Sequence, residues 1–583
     1  MTDSEPRFRT GSTDRIHRRT LLKLGVSIAT AAVGVSPVAQ AAGESEDTAR
    51  ETARSACGVR AGNGIATVEI ETGRIAGYIR GGLCIFKGVP YGGDTGGQYR
   101  FLPPRKPDSW TGVRSSRQFG LISPQDKGTG RLNDEEAFMF QWNDSVEGED
   151  CLRINIWTPG VNDNARRPVM VWLHGGGFSA GSGHDLPAFD GENLARRGDA
   201  VIVTLNHRLN LLGFLDLSAH GEAFAQSANA GLLDIVAALQ WVRDNISVFG
   251  GDPGRVLVFG QSGGGGKVGA LMAMPSARGL FHRAIVQSGS FSFTATSEHA
   301  QRLTSLIVAE LGLGKNAIAG LQSLPYSTLQ QATERVLRRH NPPPGGPPDV
   351  RRLEHRLGFG PVADGRVIPE APFGDHGPAV SAEVPMIIGT TLNEFVTGIN
   401  HPEYEQMTDA ELLARTEASY PGRGAAIVSA FRRRSPGQKP FDLWSRIAAA
   451  PVRQAAIAQA AMKSAQGAAP AWLYCFAWQT PVLDGRPRAY HCADIPFVFN
   501  NTDLCDRMTG GGTDARSLGQ MMADTWVQFA RTGDPSHAGI VPWAPYSKQS
   551  GATLMVDDVT RVERHPDRDE LTSLAEPDPG AAA

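Results

Sequence analysis

Short runs of consecutive apolar residues, ending in glycine or a polar turn, alternate along this chain with stretches whose apolar residues recur every three or four positions. The runs 168–173 (PVMVWL), 200–205 (AVIVTL), 255–259 (RVLVF), 283–286 (RAIV) and 384–388 (VPMII) have the length and apolar continuity of strands buried on both faces. The aromatic-rich run 472–478 predicts a late strand of the same kind. Between the strands, Leu232, Val236, Leu239, Val242 and Ile246 fall on one helical face, with Asn229 as candidate N-cap and Gly250-Gly251 as the stop. Strands alternating with helices predict an α/β fold, a large mostly parallel sheet flanked by helices. A helix is also expected over 267–274. The clearest loop is 341–348 (NPPPGGPP), where proline and glycine exclude both regular structures.

Composition narrows the class. With 583 residues, 41% hydrophobic and 20% charged, the chain can bury a large core without metal or disulfide staples. Its 68 glycines and 38 prolines stay below the share that marks low complexity, so the glycines are expected in loops and tight turns. A net charge of −3 offers no basic face for nucleic acid. The six cysteines, Cys57, Cys84, Cys151, Cys475, Cys492 and Cys505, are too scattered for a disulfide scaffold. They have no zinc-ligand spacing either, so neither metal nor cofactor is expected.

The first 41 residues read as an address. Arg18 and Arg19 precede a short apolar stretch, Leu24–Val35, and Ala39-Gln40-Ala41 supplies the small residues that a signal peptidase needs. The apolar stretch is too short to span a bilayer, which takes about 20 residues. The segment resembles a bacterial twin-arginine signal and implies the export machinery as partner, a periplasmic or extracellular destination, and no membrane anchor after cleavage. Residues 42–60 are expected as a polar linker, 61–570 as one large α/β domain and 571–583 as a disordered tail.

Two motifs carry chemistry. Gly260-Gln261-Ser262-Gly263-Gly264 lies between a predicted strand and a predicted helix, the setting in which G-x-S-x-G makes a nucleophile elbow. By itself such a match also suits an ordinary turn. His174-Gly175-Gly176-Gly177-Phe178 follows another predicted strand and matches the glycine loop whose backbone N–H groups face a developing oxyanion. Both motifs in the expected order point to a serine hydrolase with Ser262 as nucleophile.

With these motifs stand FKGVPY at 86–91, RFLPP at 100–104, EDCLRINIWTP at 149–159, FGGDP at 249–253 and RAIVQSG at 283–289. Over about residues 65–560 the chain resembles the type-B carboxylesterase family, which includes the cholinesterases, and the resemblance implies the α/β-hydrolase fold. It also implies an acid in a G-T-x-x-x-E segment, here Glu394, and a histidine ahead of D-I-P-F-V-F, here His491; none of the other histidines has this setting. The order Ser, Glu, His suits that fold. By the same analogy the oxyanion donors are the N–H groups of Gly176, Gly177 and Gly263. Ser288 resembles a serine that supports the triad, although a hydroxyl bonding local backbone explains it equally well. Asp364 and Glu370 are the nearest rival carboxylates.

Several positions depart from the family. Gln261 replaces the usual glutamate before the nucleophile, Gly263 a frequent alanine, and Ser123 the cysteine that would pair with Cys151. Cys492 and Cys505 are close enough in sequence for a bridge. Trp142 lies near the place of a choline-binding tryptophan, one residue short of the spacing, and is expected to pack in a wall. The implied activity is hydrolysis of small-molecule carboxylic esters through an acyl-enzyme, falling in mild acid as a histidine base takes up a proton. An amidase or carbamate hydrolase with the same triad, or a non-catalytic binding module, are the alternatives.

Overall fold

The computed structural model describes residues 58–125, 133–143, 145–290, 294–341 and 356–575. The export signal expected over 1–41, most of the linker and the core of the proline-rich loop lie outside the described residues. The strands of the main sheet are β1 (Val59–Arg60), β2 (Tyr78–Arg80), β3 (Leu83–Pro90), β4 (Arg153–Thr158), β5 (Arg167–Leu173) and β6 (Val201–Leu205). They continue with β7 (Gly251–Gln261), β8 (Arg283–Gln287), β9 (Met386–Thr391), β10 (Ala471–Phe476), β11 (Ala552–Val556) and β12 (Arg561–Arg564). Their spatial order is β1-β2-β3-β4-β6-β5-β7-β8-β9-β10-β11-β12. From β6 to β11 every neighbour is parallel, and the outer pairs are antiparallel.

The centre of this sheet is buried on both faces, as continuous apolar runs require. Val169, Val171 and Leu173 of β5 pack into one core with Val201, Val203, Val256 and Val258. The intervening Met170 and Trp172 pack into the other with Ile202, Leu257 and Phe259. Side chains alternate along a strand, so one strand feeds two cores. Helix α1 (Ala230–Asn245) covers the first face, and its Leu232, Val236, Leu239 and Val242 are buried there. Helix α2 (Gly263–Ala273) follows β7 directly, and α3 (Pro440–Ala465) and α4 (Thr513–Thr532) come later in the chain.

Several expectations shift. Asn229 stands at the N-cap position of α1 but makes no capping bond. Its amide instead exchanges two hydrogen bonds with the Val362 backbone, at 2.9 and 3.0 Å, and donates to Asp364. A long-range partner outcompeted the local one. Gly250 closes the turn after α1 at φ 74°, a left-handed geometry that suits glycine. The strand expected over 384–388 runs Met386–Thr391, and α2 begins at Gly263 rather than 267. The expected linker ends in a strand, since Val59 and Arg60 pair with Arg80 and Ile79. Helical structure over Arg568–Ala575 likewise runs past the boundary set for the tail, because Leu574 is buried in an apolar cluster beside Leu571.

Candidate active site

The parallel strands β5, β7, β8 and β9 lie side by side, and their carboxyl ends carry His174, Ser262, Ser288 and the loop to Glu394. That end of an open α/β sheet is where ligands bind. Ser262 is the single residue between β7 and α2, at φ 57° and ψ −127°. For a residue with a Cβ such a backbone costs about 1–3 kcal/mol. The turn is held by Ser262 N–H donating to the Gln287 carbonyl at 2.8 Å and by Gly266 N–H donating to the Ser262 carbonyl at 3.0 Å. Bulk is excluded around it: a Cβ on Gly264 would stand 2.0 Å from the Leu173 carbonyl oxygen, and one on Gly260 2.6 Å from it.

The glycine loop closes over the serine. Gly176 and Gly177 sit at φ 79° and 60°, and Ala180 N–H donates to the Gly176 carbonyl at 3.1 Å. A Cβ on Gly263 would meet the Gly177 carbonyl oxygen at 2.2 Å. Loop and helix start therefore touch backbone to backbone, which brings Gly176, Gly177 and Gly263 together around the serine.

Two other loops zip together beside them. His491 N–H donates to the Glu394 carbonyl at 2.8 Å and Asn393 N–H to the Ala489 carbonyl at 3.1 Å. Across this bridge Glu394 Oε2 accepts from His491 Nδ1 at 2.5 Å. Glu394 is fully buried, adopts φ 46°, and its Oε1 accepts from Thr391 N–H at 3.0 Å. Ser288 Oγ accepts from that same N–H at 3.3 Å. Phe395 lies over the imidazole with ring centroids 3.9 Å apart. On its other nitrogen, His491 Nε2 accepts from Gln261 Nε2 at 3.0 Å, while Gln261 Oε1 accepts from the Cys492 thiol at 3.2 Å. Both ring nitrogens of His491 are thus held, Nδ1 by Glu394 and Nε2 by Gln261. Asp494 anchors this turn to the sheet, since its Oδ2 accepts from Tyr474 Oη at 2.7 Å and Gln287 Nε2 at 2.9 Å. Burial holds the Asp494 carboxyl above the usual carboxylate range.

Ser262, His491 and Glu394 line one cavity of about 960 Å³, walled also by Trp142, Asp185 and Phe395. The model of the carboxylesterase family matches residues 65–573. The chain belongs to the carboxylesterase family. It is 33% identical to the para-nitrobenzyl esterase of Bacillus subtilis over 87% of this chain and 98% of that relative. It is 32% identical to the phenmedipham hydrolase of Pseudarthrobacter oxydans over 86% of this chain and 98% of that relative. Among solved structures, an esterase from Clostridium hathewayi that can hydrolyse aliphatic aromatic polyesters superposes with a TM-score of 0.76 at 35% identity, covering 88% of this chain and 98% of that one. The carboxylesterase EST55 of Geobacillus stearothermophilus does so with a TM-score of 0.72 at 33% identity, covering 87% and 99%. The protein is a carboxylic ester hydrolase with the α/β-hydrolase fold.

The rivals to Glu394 have other work. Asp364 Oδ1 accepts from the backbone of Arg366, Val367 and Ile368, and Glu370 lies exposed near His376. The bridge that sequence left open between Cys492 and Cys505 is absent, both being thiols, and Cys151 is a buried thiol pushed up to about 12 by desolvation. Ser123 instead accepts from Leu209 N–H at 3.2 Å. Trp142 packs in the cavity wall against Phe140, centroids 5.1 Å apart. Sequence reasoning missed the Gln261–His491 contact, the Phe395 stack and the Asp494 anchor. A buried carboxylate three residues after the histidine was the available signal.

Proposed function

We propose that this carboxylesterase cleaves neutral carboxylic esters with Ser262 as nucleophile, His491 as general base and acid, and Glu394 as the orienting carboxylate. The observation that carries the reading is the 2.5 Å contact from a fully buried Glu394 to His491 Nδ1, in the same cavity as a serine on a strained strand-to-helix turn. With Nδ1–H donated to Glu394, the lone pair of Nε2 faces away from the acid and can take the serine proton. The Ser262 hydroxyl then replaces the Gln261 amide at that nitrogen as it attacks the ester carbonyl. The N–H groups of Gly176, Gly177 and Gly263 receive the oxyanion, His491 protonates the leaving alcohol, and water repeats the cycle on the acyl-enzyme. Ser288 supports the acid by sharing the Thr391 N–H with it.

Gln261 brings hydrogen-bonding reach without charge, so the site gains no attraction for cationic leaving groups at that position. An aryl-methyl ester of the kind for which the Bacillus subtilis relative is named is a neutral substrate of this type. The test is labelling with a fluorophosphonate: one adduct at Ser262 that abolishes ester hydrolysis supports the reading, and an adduct at another serine sinks it. Residues 1–41 carry the ordered features of a twin-arginine signal, and we extend the proposal to export through it. Changing Arg18 and Arg19 together to lysine is expected to hold the protein in the cytoplasm with unaltered specific activity, and undiminished export would refute that route.

A further inference from the structure

Lys267 follows the nucleophile by five residues on α2 and is wholly buried. Its Nζ donates to the His174 carbonyl oxygen at 2.9 Å, and that carbonyl opens the glycine loop. The ammonium also lies 5.7 Å from the ring centroid of Phe178, which closes the same loop, within reach of a cation–π attraction. The loop is thus pinned at its first residue and touched at its last by one side chain rooted in the nucleophile helix. Packing alone would be served by an apolar side chain, because a buried amine with a neutral acceptor is costly for folding.

The neighbouring elements decide what this amine can do. His174 and His207 stack with centroids 5.0 Å apart, and burial and the nearby Lys267 charge hold both well below the usual imidazole range. Each Nδ1 donates to its neighbouring backbone carbonyl, at 2.9 and 2.8 Å, which favours a proton on that nitrogen, while burial and Lys267 oppose a second one on the ring. Asp185, from the cavity wall, is the carboxylate acting on Lys267 and favours its charged form. Arg208, also buried, is matched instead to Asp234, which it grips at 2.6 and 2.8 Å. Lys267 is held differently: Asp185 acts on it electrostatically, and its hydrogen bond goes to the His174 backbone carbonyl. Its positive field therefore reaches the loop to which it is bonded.

We propose that Lys267 is a positioning residue of the ester-cleaving reaction, whose buried ammonium holds the glycine loop in place and lends the oxyanion a positive potential. The proposal rests on the assignment of Ser262 and the glycine N–H groups above. Desolvation pushes the amine down to about 7, so the charge is present below that pH and lost above it. The sign follows directly: the oxyanion is best stabilised on the acid side, and kcat/KM falls as Lys267 gives up its proton.

The experiment is the pH profile of kcat/KM for a neutral nitrophenyl ester from pH 6 to 9, in wild type, Lys267→Gln and Lys267→Met. The wild type is expected to lose about tenfold on a descending limb near pH 7. Lys267→Gln keeps a donor for the His174 carbonyl and has no charge to lose, so its profile should be flat above pH 7 at or below the wild type's alkaline value. Lys267→Met should be flat and lower still. A wild-type profile without that limb overturns the proposal even if neither variant folds, and so does a limb that persists in both variants. Fluorophosphonate labelling of Ser262 in the same samples separates this failure from failure of the triad itself.

Discussion

The two halves of the proposed active site are built from different materials. The half around Ser262 is backbone: glycines at 176, 260, 263 and 264 let a loop, a strand end and a helix start meet at distances that no Cβ tolerates, and Gly177 supplies a positive φ. The acid–base half is side chain. Glu394 and His491 come from segments 97 residues apart and meet through a short bridge between two loops. A backbone site is pre-organised by sterics and breaks when bulk is added. A side-chain site is pre-organised by hydrogen bonds and breaks when charge or donor pattern changes. The comparison says which substitution damages which half, and how.

Removing the reacting atom itself should have the largest effect. Ser262→Ala is expected to lower kcat by a factor on the order of 10³ or more while leaving the fold intact, measured with a nitrophenyl acyl ester beside a thermal melt. On the side-chain half, Glu394→Gln keeps the size and removes the charge. We expect kcat to fall by about 10³, with little change in KM, because the imidazolium loses its partner and the wrong tautomer is favoured. Greater damage from Glu370→Gln or Asp364→Asn would transfer the acid role elsewhere.

On the backbone half, Gly263→Ala should act through sterics alone. Its methyl group would have to displace the Gly177 carbonyl, 2.2 Å away, and moving one oxyanion donor out of line costs about 10² in kcat. Activity within twofold of wild type would mean that the loop yields freely and that the division between halves is drawn too sharply. The smallest change expected is at the seam, where Gln261 of β7 touches His491. Gln261→Glu places a carboxylate against the imidazole and beside the bound ester. The ratio of kcat/KM for a choline ester to that for a neutral ester of matched acyl length should rise about 2- to 30-fold, the worth of an added cation attraction of about 0.5–2 kcal/mol. A wild-type preference for the choline ester, or a ratio unmoved by the mutation, would defeat the expectation.

How much could be read in advance follows the same division. The sheet strands were legible because burial on both faces demands unbroken apolar runs, and β5, β6, β8 and β10 stand within a residue or two of where those runs lie. Ser262 and the glycine loop were legible because the elbow and the loop are local: their geometry forces glycine at fixed offsets. Glu394 and His491 could be named only through the family resemblance, since one glutamate or histidine in a chain looks like any other until a partner is known. Asn229 shows the limit of local rules. A residue of capping type at a helix start gave its amide to Val362, 133 positions away. The bridge left open between Cys492 and Cys505 does not form, because proximity in sequence does not fix how side chains face in space.

The sequence by itself determined the layered α/β architecture and the strand-to-helix turn that carries Ser262, because both rest on short-range regularities: strand alternation, glycine at turns and residue order around the serine. Only the tertiary structure decided what surrounds the reacting atoms. It seated the Gln261 amide on His491, moored that turn to the sheet through Asp494, and sealed Lys267 beneath the glycine loop. Each of those contacts joins segments that sequence does not order relative to one another, and each gains its strength from removing water around polar groups, which happens only when distant surfaces close.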